Sequence, residues 1–369
     1  MNKNIFAATV AAFAGVASAQ STVTLFGVVD VDIDHFSQNG VSRTMLSHSG
    51  NAPSQIGFRG TEDLGDGLSA NFWLASSTSP DDGGTRPMDF AFRSTVSLAG
   101  PFGEVRLGRD YPPGSLNQGV FDPFRNMGPA SGANITLPVL PGVLGTGSNP
   151  TTSIRVSNSI QYLWGFAANA QAVVGTGFYG SVMVALPENV TGKPPIGRYA
   201  GGRAGYAVGP WNVAVAYAES KGPFGTLGPR YGTPTTFKES NLGAWYQFDN
   251  VKLMGHVGAN DSDVPNTRFT HWAVGTEITI GAGYIPLSYI AARQNNAANS
   301  SVEQIAAGYV YFLSRRTSLY TSIAHIKNKN GATFSFVGGN GGSFPALTPG
   351  LITSKGNGTG YDFGMRHYF

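Results

Sequence analysis

The chain has 369 residues and a formal charge of +3, yet only 12% of it is charged while 51 residues are glycine. Globular proteins average about 25% charged residues and about 7% glycine, so an ordinary soluble multi-domain protein is a poor fit, and 12% aromatics leave too much to bury for a disordered chain. The absence of cysteine excludes disulfide frameworks, thiolate metal sites and cysteine nucleophiles, and a surplus of three charges does not imply a nucleic-acid partner.

Lys3 precedes an uncharged apolar run from Ile5 to Ala19 that ends Ala17-Ser18-Ala19. A basic start, a short apolar stretch and a small-x-small site predict a signal peptide over 1–19; the run is short of the ~20 residues that a spanning helix needs. The remaining chain, 20–369, reads as one β domain. From Thr22 to Asp34, Val23, Leu25, Gly27, Val29, Val31 and Ile33 share a face, with Thr24, Asp30, Asp32 and Asp34 opposite. Such period-two alternation marks a strand with one apolar and one wet face. It recurs over Ser54–Gly60, Phe90–Leu98, Ser153–Trp164 and Asn241–Phe248.

Tight breaks are predicted at 65–67, 100–103, 209–210, 249–250, 281–283 and 314–316. Longer Gly/Pro-rich stretches lie around 37–53, 79–87, 111–152, 221–236 and 329–355. Short turns alternating with long loops describe an antiparallel transmembrane β-barrel with one tight and one elaborated rim. The chain accommodates about sixteen strands of ~10 residues. Tyr162, Trp164, Phe166, Trp211, Tyr217, Tyr246, Phe248 and Trp272 fall near strand ends, where an interfacial girdle would place them. A soluble sandwich would carry a charged outer face, and a propeller would repeat a blade motif every 40–50 residues or so. Neither pattern is present.

At the end of the chain Tyr361, Phe363, Met365, His367 and Phe369 share one face, opposite Asp362 and Arg366. A terminal Phe on an alternating strand resembles the assembly signal of outer-membrane barrels. With Val23-Thr24-Leu25-Phe26-Gly27, Gly57-Phe58-Arg59-Gly60-Thr61-Glu62-Asp63-Leu64-Gly65, Val105-Arg106-Leu107-Gly108-Arg109-Asp110 and Leu313-Ser314-Arg315-Arg316-Thr317-Ser318-Leu319-Tyr320, the sequence resembles the general trimeric porins of the Gram-negative outer membrane, of the β-proteobacterial type. The resemblance implies an all-β barrel of sixteen strands assembled as a homotrimer, with a third external loop folded into the lumen as the constriction. It implies passage of small hydrophilic solutes and ions, contact with outer-membrane lipids and the barrel assembly machinery, and no cofactor.

The 111–152 stretch matches that loop, being long for a structureless connection and rich in proline and glycine. Asp122 and Arg125 are its only charges, so the acidic patch of many enterobacterial relatives is missing. Alternation puts Arg59, Arg93 and Arg155 on wet faces, where the family carries its basic wall. Arg106 is also on the wet face by strict counting, but the family pattern favours Arg109, which needs a bulge at Gly108. Arginines facing a narrow passage predict a preference for anions, unless each pairs with a wall carboxylate such as Asp30, Asp32 or Asp34. Those aspartates, and Asp261 with Asp263, are also candidate Ca²⁺ ligands, but carboxylates two apart on a strand diverge and no metal site is expected. Matches to the glycosylation sequon, such as those at Asn134, Asn189 and Asn357, are incidental in an outer-membrane setting. The six histidines form no i,i+4 pair, and no Ser/His/Asp spacing or phosphate loop appears, so no catalysis is expected. A barrel acting through its long loops as an adhesin is the remaining alternative.

Overall fold

The computed structural model describes residues 22–84, 88–136, 154–170, 173–187, 198–223, 234–263, 265, 268–336 and 356–369. The proposed signal peptide lies outside the described residues.

Among the described residues seventeen strands form one antiparallel sheet that closes on itself. The first six are β1 (Thr22–Gln38), β2 (Val41–His48), β3 (Gln55–Gly65), β4 (Leu68–Ser77), β5 (Arg93–Gly100) and β6 (Gly103–Asp110). Two helices follow, α1 (Pro113–Val120) and α2 (Ala133–Thr136). Next come β7 (Val156–Trp164), β8 (Gly177–Ala185), β9 (Tyr199–Val208), β10 (Trp211–Pro223), β11 (Pro234–Phe248) and β12 (Val251–Ser262). The barrel ends with β13 (Phe269–Ile280), β14 (Gly283–Gln294), β15 (Ser301–Phe312), β16 (Thr317–Lys329) and β17 (Gly358–Tyr368).

The wall has sixteen staves, because β2 and β3 pair in succession with the two halves of one long strand, β1. Between them the 49–54 segment leaves the sheet and is tied down by Asp30, whose Oδ2 accepts the amides of Asn51 (3.0 Å) and Ala52 (2.6 Å). The Ser54 hydroxyl donates to the Asp30 carbonyl at 3.0 Å. A single long loop over 37–53 was expected from composition. The structure replaces it with a tight turn at Asn39-Gly40, both at positive φ (53° and 76°), the backbone of a type I′ hairpin that an Asn-Gly pair favours. The tight breaks expected elsewhere all fall at observed hairpin turns.

β17 pairs with β16 on one side and β1 on the other, which closes the barrel. Phe369 exchanges both backbone hydrogen bonds with Gly27 at 3.1 Å, and its ring lies where a Gly27 side chain would begin. Lumenal and outer residues alternate as period two requires: Asp30, Asp32 and Asp34 are buried, while Val29 and Ile33 are exposed on the outside. Tyr162, Trp211 and Phe248 are exposed toward the tight-turn rim, and Tyr217 and Trp272 toward the other. Phe166 departs from the expected girdle, because the 165–170 segment folds inward and carries it into the lumen.

Candidate functional site

The described part of the connection after β6, residues 111–136, runs inward rather than over the rim. Pro112 is extended (φ −71°, ψ 148°) and Pro113 opens α1, where its fixed φ suits a first helical turn and its missing N–H costs nothing. Asn117 donates to the Ala214 carbonyl (3.0 Å) and to Asn241 Oδ1 (2.6 Å) on the wall. Beyond α1, wall glycines on alternate strands receive the loop: a side chain at Gly243 would meet the Phe121 ring, one at Gly275 would meet Pro123, and one at Gly308 would meet Phe124. Gln304 then donates to the Ala130 and Ser131 carbonyls (3.1 Å each) and accepts from Asn134 (3.1 Å). Ile135 packs with Phe269, Ile290, Val302 and Ile326 behind the loop.

Asp122 works for the loop itself. Its Oδ1 accepts from Phe124 N (3.1 Å), and its Oδ2 from Asn126 N (2.8 Å) and Gly132 N (2.9 Å). It is only 2% exposed. Burial pushes its carboxyl above the usual range, against the pull of those amides and of Arg125. With Asp122 and Arg125 as its only charges, the loop is expected from sequence to contribute no net charge. The structure turns Asp122 away from the lumen, so the charge the described loop shows there is that of Arg125. Replacing Asp122 by Ala orphans three buried amides, and at ~1–3 kcal/mol for each buried unsatisfied group the loop should loosen. Noisier open-channel current in single-channel recordings, with the barrel still folded, is the expected result.

Across from the loop, on β5 and β6, a buried charge quartet lines the wall. Arg106 donates to Asp110 (2.7 Å) and Glu104 (3.1 Å), and Arg93 lies 3.4 Å from Asp110. Arg93 sits over the Trp73 ring at 4.4 Å and Arg59 over the same ring at 5.1 Å. Arg59 therefore faces inward, stacked on Phe26 and Trp73, but does not itself line the main cavity. Arg93 alone of the four expected wall arginines lines that cavity.

Arg109 and Arg155 need correction. The bulge anticipated near Gly108 exists, but its extra residue belongs to β7, where two residues stand opposite Arg109. The alternation of β6 is therefore not reset. Arg106 stays lumenal, and Arg109 points the other way, donating to the Ala91 carbonyl and Ser157 Oγ at 2.6 Å each. Arg155 precedes β7 and anchors the foot of the loop. Its guanidinium covers the Tyr111 ring at 3.4 Å and donates to the Phe92 carbonyl at 2.8 Å, and burial lowers its pKa.

The lumen between loop and wall is a cavity of about 630 Å³ lined by Arg93, Arg106, Arg125, Arg203, Lys252 and Arg366. Glu104 and Asp110 balance Arg106 and Arg93. Glu277 serves both Arg125 (2.8 Å) and Lys252 (3.0 Å). Arg203 donates to Asn117 (2.7 Å), the Val173 carbonyl (2.5 Å) and the Tyr179 hydroxyl (3.1 Å). Arg366 donates to Asn51 and lies over the Tyr368 ring at 4.8 Å. Among the described residues no carboxylate is within ion-pair distance of Arg203 or Arg366, so six cations meet three paired carboxylates and three positive charges remain in surplus. The aspartates of β1 do not neutralise Arg59, Arg93 or Arg155. Asp30 accepts from Tyr320 and the amides of Asn51 and Ala52, while Asp32, Asp34 and Asp362 cluster with carboxylate oxygens within 4.8 Å of one another. Sequence reading placed Arg366 on the wet face but gave it no role, and it missed Arg203 and Lys252. Alternation along β9 and β12 was the available signal.

Residues 7–331 match the family described as Gram-negative porin. The chain belongs to that family. Along its whole length this porin is 35% identical to "Outer membrane porin protein 32" of Delftia acidovorans, covering all of both chains. It is 28% identical to an outer membrane porin protein of Bordetella pertussis over 89% of this chain and 95% of that one. Among solved structures it is similar to "Anion-selective porin from Comamonas acidovorans", with a TM-score of 0.77 and 33% identity over 95% of this chain and 100% of that one. Each of these relatives is named for a pore. The chain is therefore an outer-membrane channel protein, and not an enzyme.

Proposed function

We propose that this porin passes ions and small hydrophilic solutes by passive diffusion through a water-filled lumen and favours anions over cations. The observation that carries the reading is the surplus of three positive charges on the lumenal cavity. In a narrow passage with low-dielectric walls, such a surplus concentrates anions and repels cations. The solved relative titled "Anion-selective porin" supports the same sign. The functional residues on this reading are Arg203 and Arg366 as charges without an ion-pair partner among the described residues, Arg125 and Lys252 sharing Glu277, and Arg93 and Arg106 shaping the wall. Arg59 and Arg155 contribute weaker, more distant charge.

The working form is a homotrimer in outer-membrane lipid, with a signal peptide removed from 1–19 and Phe369 serving as the signal read by the assembly machinery. The apolar outer faces of β1 and β17, including Leu25, Ile33, Phe363 and Met365, are suited to lipid or to a neighbouring subunit. The deciding experiment is the reversal potential of the reconstituted protein under a KCl gradient in a planar bilayer. An anion-selective potential, with conductance steps in threes, supports the proposal, and a cation-selective potential overturns it.

A further inference from the structure

The helix α1 is turned inside out. Its polar Asn117 and Gln118 are buried against the wall, whereas Leu116, Gly119 and Val120 are partly exposed and line the cavity. In most amphipathic helices the apolar stripe faces protein and the polar one faces water. The described parts of the inward-folded turn, 165–170 and 173–176, add Phe166 and Val174 to the same side of the lumen, and Asn169 ties the turn there by donating to the Gly60 carbonyl at 3.1 Å. Arg203 stands at the junction of these two apolar segments, bonded to Asn117 of α1 and to the Val173 carbonyl of the turn. Three of its five N–H groups are taken by protein partners, which leaves two for a ligand. One charged fork beside an apolar surface, in a cavity of about 630 Å³, is the general composition of a small-molecule site, mostly apolar with a few placed polar groups.

We propose that the constriction selects among anions, favouring small amphiphilic carboxylates in which one carboxylate is carried on a compact apolar or aromatic body. The carboxylate meets Arg203 while the body lies on Leu116, Val120 and Phe166. This rests on the anion-preferring reading above, and its test is separable from that one. The probes are benzoate and threonate, monoanions with the same number of heavy atoms, one apolar and one hydroxylated. Reversal potentials are measured with potassium chloride on one side of the bilayer and each potassium carboxylate on the other.

Benzoate is expected to exceed threonate in permeability by about fivefold beyond the ratio of their free-solution mobilities, the equivalent of about 1 kcal/mol. Leu116→Gln with Val120→Gln should bring the ratio back toward that of the mobilities. The milder Val120→Thr, close in shape to the native residue, should lower it part of the way. A wild-type ratio equal to the mobility ratio overturns the proposal, as does a ratio that neither variant changes. A cation-selective potential in KCl alone would instead overturn the anion preference on which it rests.

Discussion

Replacing both Arg203 and Arg366 by glutamine is expected to remove most of the anion preference, with Arg203→Gln giving the larger single effect. A unit charge about 6 Å from the ion path is worth about 0.7 kcal/mol at the dielectric constant of water. It attracts an anion and repels a cation by that amount, so each charge lost lowers the anion-to-cation permeability ratio roughly tenfold. Arg203 has no carboxylate within ion-pair distance, whereas Arg366 stands directly across the β1–β17 ladder from Asp30, whose charge offsets part of its field. Arg203→Lys keeps the charge and should keep the preference, which separates electrostatics from the loss of the Asn117 and Val173 hydrogen bonds. Arginine stays protonated well above pH 9, so Arg203 itself carries the same charge between about pH 6 and 9. Unchanged selectivity in the double glutamine variant would place the selecting charges elsewhere.

The other cavity cations respond differently because of their partners. Arg106 has two carboxylates within hydrogen-bond reach and Arg93 is 3.4 Å from one of them, so the quartet is neutral as a unit. Removing Arg106 leaves the buried Glu104 without its ion-pair partner, which costs about 3–5 kcal/mol, whereas removing Arg93 leaves Asp110 still paired with Arg106. Loss of Arg106 therefore reads out as stability as much as selectivity. Two of the three surplus charges thus sit where side chains bond to neutral groups, and the third is shared by Arg125 and Lys252 around Glu277.

Much of the barrel was legible in the sequence because lipid and water impose opposite demands on the two faces of every strand. The β1 alternation, the tight turns and the closing strand at Tyr361–Phe369 follow from that demand alone. The 37–53 region misled because Ser, His and Asn suggest a loop by composition, while the Asn39-Gly40 pair sets a hairpin by backbone conformation. At the site, alternation assigned Arg106 correctly by counting, and the family pattern displaced it in favour of Arg109. A bulge shifts the facing of the strand that holds the extra residue, and nothing in the sequence says which strand that is. The role of Asp122 was out of reach for a different reason. Its three amide partners lie in its own loop and become neighbours only when that loop folds.

The seat of the constriction loop gives the second large expected effect. A Cβ on Gly243 would lie 2.1 Å from a ring carbon of Phe121, closer than any side chain tolerates, and β11 is held on both sides by its ladders with β10 and β12. The wall is fixed and the loop is not, so Gly243→Leu should push Phe121 off its seat. Overpacking costs about 1–3 kcal/mol, and exposing a buried Phe forfeits about 2–3 kcal/mol more. The ties through Asn117, Asp122 and Gln304 remain, so the loop should loosen without the barrel unfolding. Single-channel records should show frequent partial closures, while the folded barrel keeps its resistance to heat in detergent. Phe121→Ala alone should also be noisy, since truncating a buried Phe costs about 3–5 kcal/mol. Combined with Gly243→Leu, it lets the new leucine fill the vacated space and should quiet the channel again. That non-additivity is the signature of a direct contact. A quiet Gly243→Leu channel, or two effects that simply add, would mean that the loop is held by its hydrogen bonds and not by the glycine seat.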